Sequence, residues 1–344
     1  MSRTTDSRHL SRRVAALLWP VLSILLALAC RPAGTGAQRA IGAWIDPSPH
    51  RVAFVAVAPG VTLEVLDWGG VGPPMVFLSG LQDVAHGFDD FAPRFTDQYH
   101  VIGITRRGYG ASAKPASGYE IATRVADLHA VLDSLRLMRV DLVGHSIAGD
   151  ELTAFAGRYP DRVSHLVYLD AAYDHSDISA LFRESPAPPP MLAADSASPA
   201  AVQAYTLRIY GMHSPEAQLR AIGRYDASDH LAADITPGVI DSLMLAGCGH
   251  PDYAKIHAPM LVIDAVEDSA PELFHYWSTL DSTGRRTALR ITTTVQDWKA
   301  AQRTVLLRNL PAAQVVRLPG ANHYVFDSHP DAVTSAMRTF LAAQ

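Results

Sequence analysis

Along the chain, short unbroken apolar runs alternate with longer stretches in which apolar positions recur every three or four residues. The runs are MVFLSG (75–80), HVIGIT (100–105), VDLVGHS (140–146), SHLVYLD (164–170), PMLVIDA (259–265) and AQVVRLPG (313–320). Runs this short and this apolar read as strands buried on both faces. Stretches such as ATRVADLHAVLDSLRL (122–137) and DAVTSAMRTFLAAQ (331–344) read as helices with one apolar face. Ahead of the first run, VAFVAVAPGVTLEVLDWG (52–69) sets apolar residues in alternation around a Pro59-Gly60 turn, the pattern of a hairpin. Strands and helices in alternation predict an α/β fold: a mainly parallel, doubly wound sheet covered on both faces, with an antiparallel hairpin at its start.

The rhythm breaks between residues 171 and 258, where no convincing buried strand occurs. SPAPPPMLAADSASPAA (185–201) is rich in proline and alanine, and the helical pieces AVQAYTLRIYGM (201–212) and SPEAQLRAIGRY (214–225) follow. Leu192, Tyr205, Leu207, Ile209, Tyr210 and Met212 supply more apolar surface than a solvated loop needs. This predicts a helical cap, residues 171–258, inserted into a core formed by residues 52–170 and 259–344.

The beginning of the chain has a different character. Arg3, Arg8, Arg12 and Arg13 precede an apolar stretch from Val14 to Ala29 that ends in small residues, the pattern of an export signal over residues 1–37. Pro20 and the shortness of the stretch argue against a membrane-spanning helix. LALAC (26–30) fits a bacterial lipoprotein box, which would make Cys30 a lipidated N-terminus. Cleavage after Ala29 or Ala37 is the competing reading. Either way the expected location is periplasmic, secreted or lipid-anchored at the cell envelope, with residues 38–51 as a linker.

Composition narrows the partners. Of 344 residues 48% are hydrophobic and 18% charged, ordinary for a globular protein, and the net charge of −5 gives no reason to expect nucleic acid. The two cysteines, Cys30 and Cys248, leave no disulfide once the first is modified or removed. Cys248, His250 and His257 stand close in CGHPDYAKIH, but without a second cluster they make a weak metal signal. Neither metal nor cofactor is expected, and the expected partner is a small molecule.

The chemistry gathers around Ser146. It follows an apolar run and precedes a helical stretch, with the small residues Gly144 and Ala148 two positions to either side, as a tight strand-to-helix turn requires. The Ile147 N–H and the positive end of the helix would lie beside the serine. The plainer reading is a junction whose serine only caps the helix. A nucleophilic serine needs a base and an acid to orient it, both on loops past strand ends. Asp264, Glu267 and Asp268 follow the run PMLVIDA, and His323 follows AQVVRLPG, giving the chain order serine, acid, histidine.

Five motifs in order make the resemblance plain: DWGGVGPPMVFLSGLQD (67–83), ITRRGYGASAKP (104–115), GHSIAGDEL (144–152), LVIDAVEDSAP (261–271) and PGANHYVFDSHPDAV (319–333). Over residues 52–344 the chain resembles the α/β-hydrolase family, in its serine hydrolase, esterase-like branch with a helical cap. The resemblance implies Ser146 as nucleophile, His323 as base and Asp268 as acid, with Glu267 and Asp170 as competitors for the last role. It implies the backbone N–H groups of Leu81 and Ile147 as oxyanion donors. Three departures stand out: Ala148 where the elbow usually has glycine, Ser79-Gly80 where the oxyanion loop usually reads His-Gly, and Thr105 where an aspartate often precedes Arg106.

The implied reaction is hydrolysis of a carboxylic ester through an acyl-enzyme. Serine at the elbow argues against the dehalogenase and epoxide-hydrolase branches, which need a carboxylate nucleophile. Lactonase, amidase, C–C hydrolase and cofactor-free haloperoxidase chemistry stay open, as does a non-catalytic binding protein. The segment LQDVAHGFDDF (81–91) and the cap are expected to line the substrate pocket, with His86, Phe88 and His145 as its candidate residues and Phe91 as a further one. Leucines and methionines in the cap suggest a moderately apolar, uncharged substrate.

Overall fold

The computed structural model describes residues 44–343. The expected export signal, Cys30 and residues 38–43 of the linker lie outside them. The strands are β1 (Arg51–Ala58), β2 (Val61–Gly69), β3 (Pro74–Leu78), β4 (His100–Thr105), β5 (Val140–His145), β6 (Val163–Leu169), β7 (Gly223–Tyr225), β8 (Leu231–Asp234), β9 (Met260–Val266) and β10 (Gln314–Pro319). Eight of them form one sheet in the order β1-β2-β4-β3-β5-β6-β9-β10, while β7 and β8 make a separate two-stranded hairpin. The β1–β2 and β2–β4 pairs are antiparallel and all other pairs of the large sheet are parallel. This is the mainly parallel sheet with a leading hairpin that the apolar pattern predicts.

Alternation along each parallel strand divides the core into two layers. Val76, Leu78, Leu142, Leu166 and Val262 pack in the layer that holds Leu128, Leu152 and Phe155. Met75, Phe77, Val143, Val167, Leu261 and Ile263 point the other way, against Phe88, Phe95, Met337 and Phe340. Strands buried on both sides are therefore apolar at most positions, which is why they stand out as runs. Each fully buried large apolar side chain contributes about 1.5–3 kcal/mol relative to exposure.

The helices are α1 (Ile121–Ser134), α2 (Ala148–Arg158), α3 (Ile178–Leu181), α4 (Pro199–Tyr210), α5 (Glu216–Ile222), α6 (Val239–Ala246), α7 (Ala270–Leu273), α8 (Ser282–Asn309), α9 (Val325–Ser328) and α10 (Pro330–Ala342). Between β6 and β9 the chain runs through α3 to α6 and the β7–β8 hairpin. Helix α4 opens with Ser198 accepting from the Ala201 N–H and with Pro199 in its first turn, and closes on Gly211 in the left-handed conformation. Between β9 and β10 lies α8, 28 residues long, capped by Asp281 accepting from the Gly284 N–H. Much of its surface is polar and exposed, with a narrow buried stripe of Ala288, Ile291, Val295 and Leu306. Among the described residues no helix is long and apolar enough to cross a membrane.

Candidate active site

Ser146 stands between β5 and α2 with φ of +55°, a left-handed conformation that costs a non-glycine residue energy and that the surroundings must hold. Two backbone hydrogen bonds hold it: its N–H donates to the Leu169 carbonyl at 3.2 Å, and its carbonyl accepts from Gly149 N–H at 2.9 Å. Close packing explains the small residues. A Cβ on Gly149 would collide with the carbonyl oxygen of Ala171, whereas a Cβ on Gly144 would come within 3.2 Å of the Ala148 methyl. Ala148 is thus tolerated because Gly144 opposite it has no side chain, and the glycine that backbone contact demands is Gly149.

Asp170 repeats this geometry on the next strand. Strands β5 and β6 pair His145 with Leu169, so Ser146 and Asp170 are the first residues past two neighbouring strand ends. Asp170 also has positive φ, +46°, and its N–H donates to the Ile263 carbonyl. His323 comes from the loop after β10, and its Nδ1 donates to Asp170 Oδ2 at 2.7 Å. The expected pairing of His323 with Asp268 is therefore corrected. Asp268 is exposed beyond β9, with its N–H bonded to Glu272 Oε2. The carboxylate facing the histidine is that of Asp170, which is wholly buried.

Four groups converge on that carboxylate. Besides His323, it accepts from the Tyr173 hydroxyl at 2.6 Å, from the Ala265 N–H at 3.0 Å, and from Lys299 Nζ at 3.1 Å. Burial alone would raise its pKa. The Lys299 charge and the His323 hydrogen bond outweigh burial and hold it well below the usual carboxylate range. Lys299 reaches in from α8 with only 11% of its side chain exposed, and bonds Glu267 Oε2 at 3.0 Å and the Ala265 carbonyl at 3.2 Å as well. Burial works against its ammonium, but the two carboxylates prevail and its pKa is raised. Glu267, a competitor for the acid role, is thereby tied to Lys299. Nothing in the sequence marks Lys299, which reads as one cation on a polar helix.

His145 is 1% exposed. Its ring lies 4.6 Å from that of His323, and its Nε2 donates to the His323 carbonyl at 3.0 Å. Burial, then the neighbouring His323, pushes its pKa well down, so it is a neutral packing group that steadies the histidine loop. It was expected in the substrate pocket, together with His86 and Phe88, and all three are corrected. Phe88 is 1% exposed and packs between Phe77 and Phe326, and Phe91 packs against the same two rings. His86 is buried among carboxylates. None of them lines the small cleft beside His323, which is formed by Tyr210, Glu267, Phe274, Tyr276, Asn322 and their neighbours. A larger groove, about 410 Å³, runs along the flank of α2 and is lined by neither Ser146, Asp170 nor His323.

The loop after β3 is gripped from below. Arg106 donates to the carbonyls of Ser79 at 2.6 Å and Gly80 at 2.7 Å, and its own charge is met by Glu151 at 3.0 Å. Leu81, next in the chain, packs against the apolar cluster that includes Ile147. Ser79 therefore replaces the usual histidine without loosening the loop, because the arginine holds both flanking carbonyls. Asp83, at the end of that loop, is buried and accepts from Gln218 at 2.9 Å and Tyr324 at 3.2 Å. Burial raises its pKa to about 7.

Comparison with known proteins agrees with this fold. The model of the alpha/beta hydrolase fold family matches residues 73–205. The chain is 26% identical over 298 residues to 2-(acetamidomethylene)succinate hydrolase of Mesorhizobium japonicum, an alignment covering 82% of this chain and 92% of that protein. The crystal structure of E-2-(acetamidomethylene)succinate hydrolase superposes with a TM-score of 0.62 at 20% identity, over 85% of this chain and 99% of that one. Bromoperoxidase from Bacillus anthracis gives 0.57 at 21% identity, over 85% and 100%. With its strand order, its left-handed serine between β5 and α2, and its histidine past the last strand, the chain has the fold of the α/β hydrolases.

Proposed function

We propose that the protein is a serine hydrolase that cleaves carboxylic esters through an acyl-enzyme on Ser146. The observation that carries the reading is the 2.7 Å hydrogen bond from His323 Nδ1 to the buried Asp170, beside the strained serine. A proton fixed on Nδ1 leaves Nε2 as the basic nitrogen of the neutral imidazole. In the proposed cycle Nε2 takes the Ser146 proton as Oγ attacks the ester carbonyl. The N–H groups of Leu81 and Ile147 stabilise the tetrahedral oxyanion, each worth about 3 kcal/mol in comparable sites. Collapse breaks the bond to the leaving alcohol, which receives the proton from His323. Water, deprotonated by His323, then attacks the acyl group and releases the acid.

The cleft beside His323 offers an anionic substrate no counter-charge. Its lining includes Glu267 and Glu272 and is otherwise apolar, aromatic or neutral, with no arginine or lysine to meet an anionic group. That sets it apart from a site built for a dicarboxylate, which is what the name of the Mesorhizobium relative describes. The basic, apolar and small-residue succession of residues 1–37 supports exported action.

The test is a panel of neutral p-nitrophenyl esters, lactones and amides assayed with the wild type and Ser146→Ala. The proposal expects ester turnover in the wild type and its loss in the variant. Turnover of none of the esters, or turnover that survives Ser146→Ala, overturns it. Intact-mass measurement of the exported protein shows whether Cys30 carries lipid.

A further inference from the structure

We propose that Asp46, His50, His86 and Asp89 form a structural binding site for a divalent transition-metal ion of the zinc type. The site is separate from Ser146 and independent of the reaction assigned to it. These four residues each offer a ligand atom, and the four atoms lie within 4.8 Å of one another. Two come from the segment entering β1 at i and i+4, and two from the short turn Ala85–Phe88 and the residue after it, at i and i+3. Such closely spaced chelating pairs are how a chain assembles a metal site from few elements.

Two of the distances match the spacing of ligands around one ion. Asp46 Oδ2 lies 3.4 Å from His50 Nε2 and 3.5 Å from His86 Nδ1. Ligand atoms bound at about 2.0–2.1 Å in a tetrahedron stand roughly 3.3 Å apart, close to both values. His86 Nδ1 also lies 3.0 Å from Asp89 Oδ2, so one nitrogen faces two carboxylates while carrying at most one proton. A cation at the focus of His50 Nε2, His86 Nδ1, Asp46 Oδ2 and Asp89 Oδ2 satisfies all of them together.

The remaining atoms already have outer partners. His50 Nδ1 donates to Asp89 Oδ1 at 2.9 Å, and the Trp68 indole N–H donates to the same oxygen at 2.9 Å. His86 Nε2 faces Glu64 Oε1 at 3.8 Å. Ligating imidazoles whose second nitrogen meets a carboxylate, and a ligating carboxylate fixed by a further donor, are the usual second layer of a metal centre. Two nitrogens and two carboxylate oxygens suit zinc. Side-chain exposure is 2% for His50 and Asp89, 9% for His86 and 24% for Asp46, so the last gives the ion its way in. Bound there, the ion fastens the segment that enters β1 to the segment that follows the Arg106-held loop.

The experiment uses the full-length protein stripped by chelator dialysis. Zinc chloride is titrated calorimetrically, and cobalt(II) chloride is followed by visible absorption. One equivalent of each should bind, cobalt should show tetrahedral ligand-field bands, and zinc should raise Tm. Asp46→Asn and His50→Gln should each weaken binding by at least about tenfold and remove the cobalt bands, whereas His250→Gln, at an exposed pair with Asp174, should change neither. If His50→Gln fails to fold by circular dichroism, the more accessible Asp46→Asn decides. No binding by the stripped wild type, or equal binding by Asp46→Asn, overturns the proposal.

Discussion

Replacing Asp170 by asparagine keeps the size of the side chain and removes its charge. In the structure one oxygen accepts from His323 and the other from Tyr173 and the Ala265 N–H, while Lys299 donates to both. Asparagine can offer its single oxygen to only one of these sides. With that oxygen kept on Tyr173 and Ala265, the amide N–H group faces His323 and forces its proton onto Nε2, where the imidazole cannot act as base. A triad held in the wrong tautomer loses about 10⁴ in kcat, or about 5 kcal/mol of barrier. Lys299 loses one of its two carboxylates but keeps Glu267 at 3.0 Å, so the stability cost stays toward or below the lower end of the roughly 3–5 kcal/mol for a broken buried pair. The assay is steady-state kcat on an activated ester, with near-UV circular dichroism to show that the variant is folded, and Asp268→Asn run in parallel. Asp268 is exposed, and its replacement should leave kcat within about twofold of wild type. A folded Asp170→Asn within about tenfold of wild type, or a collapse in Asp268→Asn instead, would refute the reasoning.

Lys299→Met removes the charge that offsets Asp170, strengthening its pull on the imidazolium, so the acid limb of kcat/KM should move to higher pH by about one unit while Lys299→Arg leaves it near wild type. An unmoved limb in a folded Lys299→Met would count against that role. Asp83 has a pKa raised to about 7, so the folded state holds its proton more tightly than the unfolded state does, and its contribution to stability falls as pH rises from about 4 to 7. Asp83→Asn should therefore raise Tm at pH 8 and much less at pH 5, and a melt showing the reverse order would contradict the assignment. Gly149→Ala forces a methyl into the Ala171 carbonyl and should prevent folding or lower Tm steeply; an unchanged melting curve would mean that the elbow is looser than described.

The sheet was legible because its parallel strands are buried on both faces, leaving apolar runs with little ambiguity. The proposed nucleophile and base, Ser146 and His323, were legible because each is a reactive side chain just past such a run. The proposed acid was not, because Asp170 and Asp268 both follow strands, and choosing between them needs the distance from each to the histidine. A signal for Asp170 did exist: it ends SHLVYLD, paired in register with the strand that ends at His145, so it shares the edge with Ser146. Lys299 gave no such signal, since a lysine on a polar helix reads as solvated until the helix is packed. His86, Phe88 and His145 were misjudged for the opposite reason. Their neighbours in sequence point to the cleft, but tertiary packing turns them inward, to carboxylates, to an aromatic cluster and to the histidine loop.

The central claim is that Ser146 is the nucleophile. Peptide mapping by mass spectrometry after treatment with a fluorophosphonate tests it most directly. A single adduct on Ser146, formed in proportion to the loss of esterase activity and absent from His323→Ala, is the predicted result. An adduct on another residue, or full loss of activity with Ser146 unmodified, would contradict it.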